Sequence, residues 1–354
     1  MRADVADRAV DGLDRLAGSG LALTSFWQAA TTWVRRVVPF DFFPCWYTLD
    51  TVSLLLTGHY NAQLPVADHE VPVITDYLED RYDPATIHHL PTVSTTEQAA
   101  PGDPRRWSTY RSLLAAEDAE HELTALLREN STCWGAVTLH RATANRPFDG
   151  EEVDFLARIA PLLARGTRRA LRTAPASCSP RDEAPGVVLL DEHLDVVSAT
   201  AEAERWMSGL PGGVDASTGR LPWSVLAVAA RARRAAHGEK PADTRTASAR
   251  VPSRSHGWVA LHGSPLHGSP ELRISVVLDS ASPGSRRELL LRASGLSDRE
   301  HEVAGLVTRG YSTREIARML CLSPYTVQDH LKAVFAKTGV HSRRELISAG
   351  ALAP

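Results

Sequence analysis

The chain has 354 residues, of which 43% are hydrophobic and 23% charged, and its formal net charge is −3. That length and composition point to two or three ordinary globular domains. The small net charge excludes a polycation that meets nucleic acid along its whole surface.

Cys45, Cys133, Cys178 and Cys321 form no CxxC pair, which argues against a zinc knuckle or a redox dithiol and fits a reducing cytoplasm. Cys321 lies in an apolar stretch and is expected as a small core residue. The N-terminus lacks a signal-peptide pattern, and apolar runs such as 52–56 are far too short to span a membrane. A cytoplasmic protein with no membrane partner is the expectation.

Residues 21–38 show helical spacing, with Leu23, Trp27, Ala30 and Val34 on one face and Pro39 ending the pattern. Residues 45–57, rich in aromatic and β-branched types, predict a strand, as do 132–140. After a turn at 146–150, Asp149 and Glu152 form a helix-start pattern. Val153, Leu156, Ile159, Leu162 and Leu163 then mark an amphipathic helix. The stretch 173–186, TAPASCSPRDEAPG, has the composition of a linker. Residues 186–207 predict strand, turn, strand and helix, and 258–279 an antiparallel hairpin. Between them, 208–245 carry no recognisable motif. SASPGS at 280–285 is a second break, and no long repeat is visible.

The tail predicts four short helices from capping chemistry. Ser297 with Glu300, Ser312 with Glu315, and Ser342 with Glu345 have capping-box spacing. Ser323 precedes Pro324, which suits a first helical position. Gly310 and Gly339 suit left-handed C-terminal caps. Val303, Leu306, Val307, Ile316, Ala317, Leu320, Val327, Leu331, Val334 and Phe335 are spaced to make one core. Tyr325, Gln328, Asp329 and Lys332 fall on the opposite face of the third helix. Only Cys321 and Leu322 separate the second helix from the cap of the third, the tight turn of a helix-turn-helix.

Residues 296–346, LSDREHEVAGLVTRGYSTREIARMLCLSPYTVQDHLKAVFAKTGVHSRREL, resemble the LuxR-type DNA-binding domain. The matching pieces are LSDREHEV, G-x-S-x-x-EIA, LS-x-x-TV-x-x-HL and SR-x-EL. The stretch GAVTLHRATANRPFDGEEVDFLARIAPLLARG, with VPFD at 38–41, resembles a GAF domain, and both ends of 186–281 resemble a PAS domain. These resemblances imply a multidomain α+β chain. Two α/β sensor-type domains, GAF-like (1–172) and PAS-like (186–281), flank a linker at 173–185. A connecting helix at 286–295 and an all-α four-helix LuxR-type helix-turn-helix domain (296–354) follow.

The LuxR resemblance implies transcription regulation on double-stranded DNA, with RNA polymerase as a further partner if the protein activates. Carried over by position, 324–337 is the recognition helix, and Gln328, Asp329 and Lys332 face base edges. Thr326 and His330 sit near phosphates. Ser312, Thr313 and Arg314 contact the backbone, and Arg343 contacts phosphate or braces the last helix. Ser323 and Tyr325 complete the predicted DNA-binding set. The family usually has Lys where Gln328 stands, followed here by Asp329. Gln can pair with adenine and Asp can accept from cytosine; alternatively Asp329 forms a helical pair with Lys332. Residues 296–354 carry eight basic and six acidic side chains, so one copy binds weakly and a homodimer is expected. The connecting helix either pairs protomers or packs on its own domain.

For the front of the chain, small-molecule sensing is the leading expectation. Trp46, Tyr47, Tyr77, Tyr82, Trp107 and Trp134, with Trp27 and Trp33, either line an apolar pocket or are core aromatics. Tyr77 and Tyr82-Asp83-Pro84 resemble a stretch of acyl-homoserine-lactone receptors, an alternative reading; a scaffold without specific DNA binding is another. His59, His69, His88 and His89 fit no metal-ligand spacing and read as solvated loop residues. The acidic pair, central Asp and later Thr and Lys of a phosphorylated receiver domain are absent. No nucleophile elbow, HExxH, GxxxxGK[ST] or GxGxxG occurs, so neither an enzyme nor a cofactor is expected.

Overall fold

The computed structural model describes residues 2–61, 90–95, 118–130, 132–172, 184–212, 221–238, 247–266, 271–282, 285, 288, 291–292 and 294–348. The chain divides into two compact units, 1–128 with 133–280, and 281–354 with 129–132. No helix among the described residues is long and apolar enough to cross a membrane.

The first unit opens with helices α1 (Arg2–Gly18) and α2 (Leu23–Arg35). Five strands follow: β1 (Cys45–Leu49), β2 (Leu56–Tyr60), β3 (Val93–Thr95), β4 (His121–Glu129) and β5 (Thr132–Arg141). Helix α3 (Gly150–Arg172) comes next. The strands form a sheet of order β2-β1-β5-β4-β3. The three helices cover one face of it. Leu13, Trp27, Val34 and Ile159 pack there against Trp46, Leu123 and Val137.

Helix α1 lies ahead of the first helix expected from the sequence, and its pattern is amphipathic. Ala9, Leu13 and Ala17 recur every four residues and are buried, while Asp4, Asp7, Asp11 and Asp14 are exposed. Asp7 and Asp14 pair with Arg158 and Arg165 of α3. Gly166 of α3 is required by close approach: a Cβ there would collide with the Phe26 ring.

The strand expected over 45–57 is a hairpin of two strands, because Asp50 breaks it. Its Oδ1 accepts hydrogen bonds from the amides of Val52 and Ser53 at 2.9 and 2.8 Å, an arrangement that folds the chain into a tight turn. Leu54 takes a left-handed conformation there, with φ of 55°. At the other end of the sheet, the helix start at Asp149 is as expected: the Glu152 amide donates to Asp149 Oδ1, and the Asp149 amide donates to Glu152 Oε2. Glu152 also holds the buried guanidinium of Arg141 at 2.7 Å.

A second sheet is built from β6 (Gly186–Leu190), β7 (Val196–Ala199), β8 (Ala247–Ser253), β9 (Gly257–Leu266) and β10 (Arg273–Ser280). Helices α4 (Ala201–Ser208) and α5 (Trp223–Ala236) lie between β7 and β8 in sequence. The order is β7-β6-β10-β9-β8. Counted within each sheet, both therefore run 2-1-5-4-3.

The stretch without a motif supplies the centre of this unit. Trp223 to Ala232 of α5 are all buried, so the helix is covered on every side. It shares one core with Tyr47, Leu49, Leu126 and Ala136 of the first sheet and Val188, Val259, Leu261 and Val276 of the second. Polar ties reinforce that junction. Arg231 of α5 donates to the Ser53 carbonyl at 3.1 Å, and Arg250 of β8 forms a buried ion pair with Asp50 at 2.9 Å. The expected linker, residues 173–183, lies outside the described residues.

In the second unit, helices α6 (Asp298–Thr308), α7 (Thr313–Met319), α8 (Pro324–Thr338) and α9 (Arg343–Ser348) surround Val303, Val307, Ile316, Val327, Leu331, Val334 and Leu346. Leu291, from the expected connecting helix, is buried in this same core.

Candidate nucleic-acid interface

Each helix of the second unit begins where a side chain satisfies an otherwise orphaned amide. Ser297 and Ser312 form reciprocal capping boxes with Glu300 and Glu315. Ser323 accepts from the Thr326 amide at 3.0 Å, with Pro324 at the first helical position. Ser342 accepts from the Glu345 amide, but the Glu345 carboxylate reaches one residue further back and accepts from the His341 amide at 2.7 Å.

The helix ends are equally ordered. Gly310 has φ of 92° and donates to the Val307 carbonyl, while Tyr311 donates to that of Leu306. These two bonds make a Schellman motif. Helix α7 ends the same way: Cys321 donates to Arg318, and Leu322 to Ala317. Here the left-handed position, φ of 54°, is held by Cys321 rather than glycine. Cys321 is exposed, which corrects the expectation of a core residue. The turn demands its backbone shape, and nothing buries its side chain. A left-handed L-residue costs about 1–2 kcal/mol, partly offset by the about 0.5–1 kcal/mol of entropy that glycine loses on folding. Cys321→Gly is therefore expected to stabilise the second unit by about 0.5–1 kcal/mol. Slower native-state hydrogen exchange at the buried amides of α8 would register the gain, and faster exchange would refute it.

Two long-range contacts fix α8 and α9 against their neighbours. Glu300 accepts both the Ser297 amide and Lys337 Nζ, the latter at 2.6 Å. Burial opposes ionisation of Glu300, but these bonds outweigh it and lower its pKa. Arg343 donates to Thr313 Oγ1 and to the Tyr311 carbonyl, so it braces α9 against the start of α7. Arg299 donates to the Leu320 carbonyl at 2.6 Å and holds the end of α7.

With Val327, Leu331 and Val334 buried, α8 turns Tyr325, Gln328, Asp329 and Lys332 to solvent as one stripe at i, i+3, i+4 and i+7. Asp329 and Lys332 form an exposed ion pair at 3.3 Å. Thr326 and His330 flank the stripe and are half-buried, and the Thr326 hydroxyl lies 2.8 Å from that of Ser323. Ser312 and Arg314 are exposed at the start of α7, with Thr313 half-buried between them.

Of the aromatic residues expected for a ligand pocket, Trp46, Tyr47 and Trp134 are described, and Trp46 and Tyr47 face different cores. Successive strand residues point to opposite faces. Trp46 is fully buried between the sheet and the helix layer, stacked on Trp27 at 5.6 Å, and donates to Thr31 Oγ1 at 3.1 Å. Tyr47 faces the other core, its ring 5.1 Å from that of His59. Trp134 is buried on β5. Tyr77, Tyr82 and Trp107 lie outside the described residues, as do His69, His88 and His89. His59 is no solvated loop residue: it stands in β2, stacked on Trp223 at 4.4 Å, and burial lowers its pKa to about 3. Among the described residues no group of histidine, cysteine and carboxylate side chains is placed to hold a metal ion.

Comparison with known proteins singles out the same segment. Residues 294–349 match the family described as "Bacterial regulatory proteins, luxR family". The monoamine regulon transcriptional regulator of Klebsiella aerogenes is 47% identical over 53 residues, 15% of this chain and 23% of that protein. The HTH-type transcriptional regulator MalT of Serratia proteamaculans is 38% identical over 58 residues, 16% of this chain and 6% of that protein. The chain thus spans less than a quarter of the length of these relatives. Among solved structures, the phycoerythrobilin-bound GAF domain from a cyanobacterial phytochrome overlaps 48% of this chain and 96% of its own, at 16% identity and a TM-score of 0.31. The capped helices, the tight turn at Cys321 and the family match converge: residues 294–349 are a helix-turn-helix domain of the luxR family of bacterial regulatory proteins.

Proposed function

We propose that this protein regulates transcription by placing α8 in the major groove of DNA, with residues 1–280 receiving a small-molecule or partner signal. The observation that carries the reading is the exposed stripe of Tyr325, Gln328, Asp329 and Lys332 on a helix whose other face is locked into a core. Gln328 and the Asp329–Lys332 pair meet base edges. Thr326, His330, Ser323, Ser312, Thr313 and Arg314 lie against the phosphates, where free amides at a helix start also help. Arg343 acts through α7, because its guanidinium already bonds there. The modest basic excess of residues 296–354 supports two copies reading two half-sites.

The test is a mobility shift of the full chain on duplexes selected from a random pool, repeated across salt concentrations. Specific, salt-sensitive complexes are expected; equal retention of all sequences would leave only a scaffold. Lys332→Ala should weaken binding and reduce its salt dependence. Gln328→Ala should instead change which sequence is preferred. An unchanged salt dependence in the first variant would remove Lys332 from the contact set.

Control by the first unit is a shift in population between states of the second. Support comes from the order of the units and from the repeated sheet architecture of residues 1–280, GAF-like then PAS-like in sequence. Trp46, Tyr47 and Trp134 are the described residues of the candidate ligand set.

A further inference from the structure

Tyr325 is 72% exposed, more than any other large hydrophobic side chain among the described residues that stands out as exposed. It occupies the second position of α8, immediately after Pro324, and leads the stripe that continues through Gln328, Asp329 and Lys332. Among the described residues its ring is in no core cluster: the core of the second unit is closed by Val327, Leu331 and Val334 on the opposite side.

The stripe is also electrically quiet. Its single cation, Lys332, is bonded to its single anion, Asp329. Attraction to phosphate is therefore not the chief thing this face offers. What it offers is one amide, one ion pair and one bare aromatic ring. The N-terminal residues of a recognition helix are the ones that reach the floor of the major groove. The apolar group presented on that floor is the thymine 5-methyl.

We infer that the Tyr325 ring reads a thymine through its methyl group, making Tyr325 a specificity-determining residue of the proposed DNA contact. The inference rests on the DNA-binding reading above. It adds a contact that hydrogen bonding does not supply, and it explains why an aromatic side chain stands uncovered at the tip of the reading helix.

The experiment uses the full chain and the duplexes it selects. Each thymine of the selected half-site is replaced in turn by uracil, which removes only the methyl, and affinities are measured for the wild type, Tyr325→Phe and Tyr325→Ala. Covering one methyl is worth about fourfold in affinity. One thymine per half-site should show that loss in the wild type and in Tyr325→Phe, and none in Tyr325→Ala. Circular dichroism should be the same for all three, since Tyr325 is exposed and not part of the core.

Three results overturn the inference while leaving DNA binding intact. The uracil duplexes bind as well as the parent; the uracil penalty persists in Tyr325→Ala; or Tyr325→Phe loses as much as Tyr325→Ala, which assigns the contact to the phenol hydroxyl and a phosphate. Recovery of no specific duplex by the wild type overturns the DNA-binding reading and this inference together.

Discussion

Asp50→Ala is expected to cost the first unit about 3–5 kcal/mol, the range for breaking a buried ion pair by removing one partner. Asp50 is 3% exposed. Its carboxylate accepts from Arg250 through the backbone amide, Nε and Nη2, at 2.9, 2.9 and 3.1 Å. It also organises the β1–β2 turn through the amides of Val52 and Ser53. Alanine would leave the Arg250 guanidinium buried without its counter-charge and the turn without its acceptor. Asp50→Asn keeps the acceptor and removes the charge, so its cost should be smaller. All eight tryptophans, the last being Trp258, lie within residues 1–280, so urea denaturation followed by tryptophan fluorescence reports this unit. A loss under about 1 kcal/mol in the alanine variant would show that the pair does not hold the sheets together.

Acid should reveal the same carboxylate. Burial opposes its ionisation, but the hydrogen bonds and charge of Arg250 outweigh it and hold the pKa below the ordinary 3.8. A depressed folded-state pKa contributes stability that is complete above 3.8 and disappears as pH falls through the lowered value. The wild type should therefore lose stability over that acid window more steeply than Asp50→Asn does.

The second large effect concerns truncation. A fragment ending at residue 172 should not fold cooperatively, although the sequence reads there as the end of a domain. Without α5, the second face of the first sheet loses its cover. Tyr47, Leu49, Leu55, Leu56 and Leu126 belong to the core that α5 shares with both sheets. Exposing each large side chain forfeits about 1.5–3 kcal/mol. Five of them together match the entire stability of an ordinary domain, about 5–15 kcal/mol. The fragment 1–172 should bind a hydrophobic dye and melt without a sharp transition, whereas 1–282 should unfold in one step. A sharp, dye-free transition for 1–172 would mean that the first sheet carries its own closed core.

Not all of the first unit was hidden. The α2 face of Trp27, Ala30 and Val34, strand β5, the Asp149–Glu152 helix start, and the strands and short helix of 186–207 are where pattern and capping place them. The misses have separate causes, and α1 was missed although its pattern is periodic. Helix α5 is apolar on all sides, so it has no face to betray a period. Strand β8 alternates buried and half-buried residues over only seven positions, next to a stretch without signals. The hairpin at 45–60 reads as one strand because a buried aspartate, not glycine or proline, turns it. Trp46 and Tyr47 look like one aromatic site in sequence and sit in different cores in space.

By itself the sequence determined the helix-turn-helix. Its caps join residues three or four apart, its C-terminal turns close over five, and its apolar spacing repeats within single helices. Such bonds form locally, so local residues announce them. One position still deceived: the apolar neighbours of Cys321 suggested burial, while the turn needs only its backbone. The Asp329–Lys332 pair was likewise already one of the alternatives its spacing allowed. The tertiary structure alone decided that two sheets share a helix and that Arg250 finds Asp50 across 200 residues. Both depend on burial between distant segments, which no spacing in a chain records.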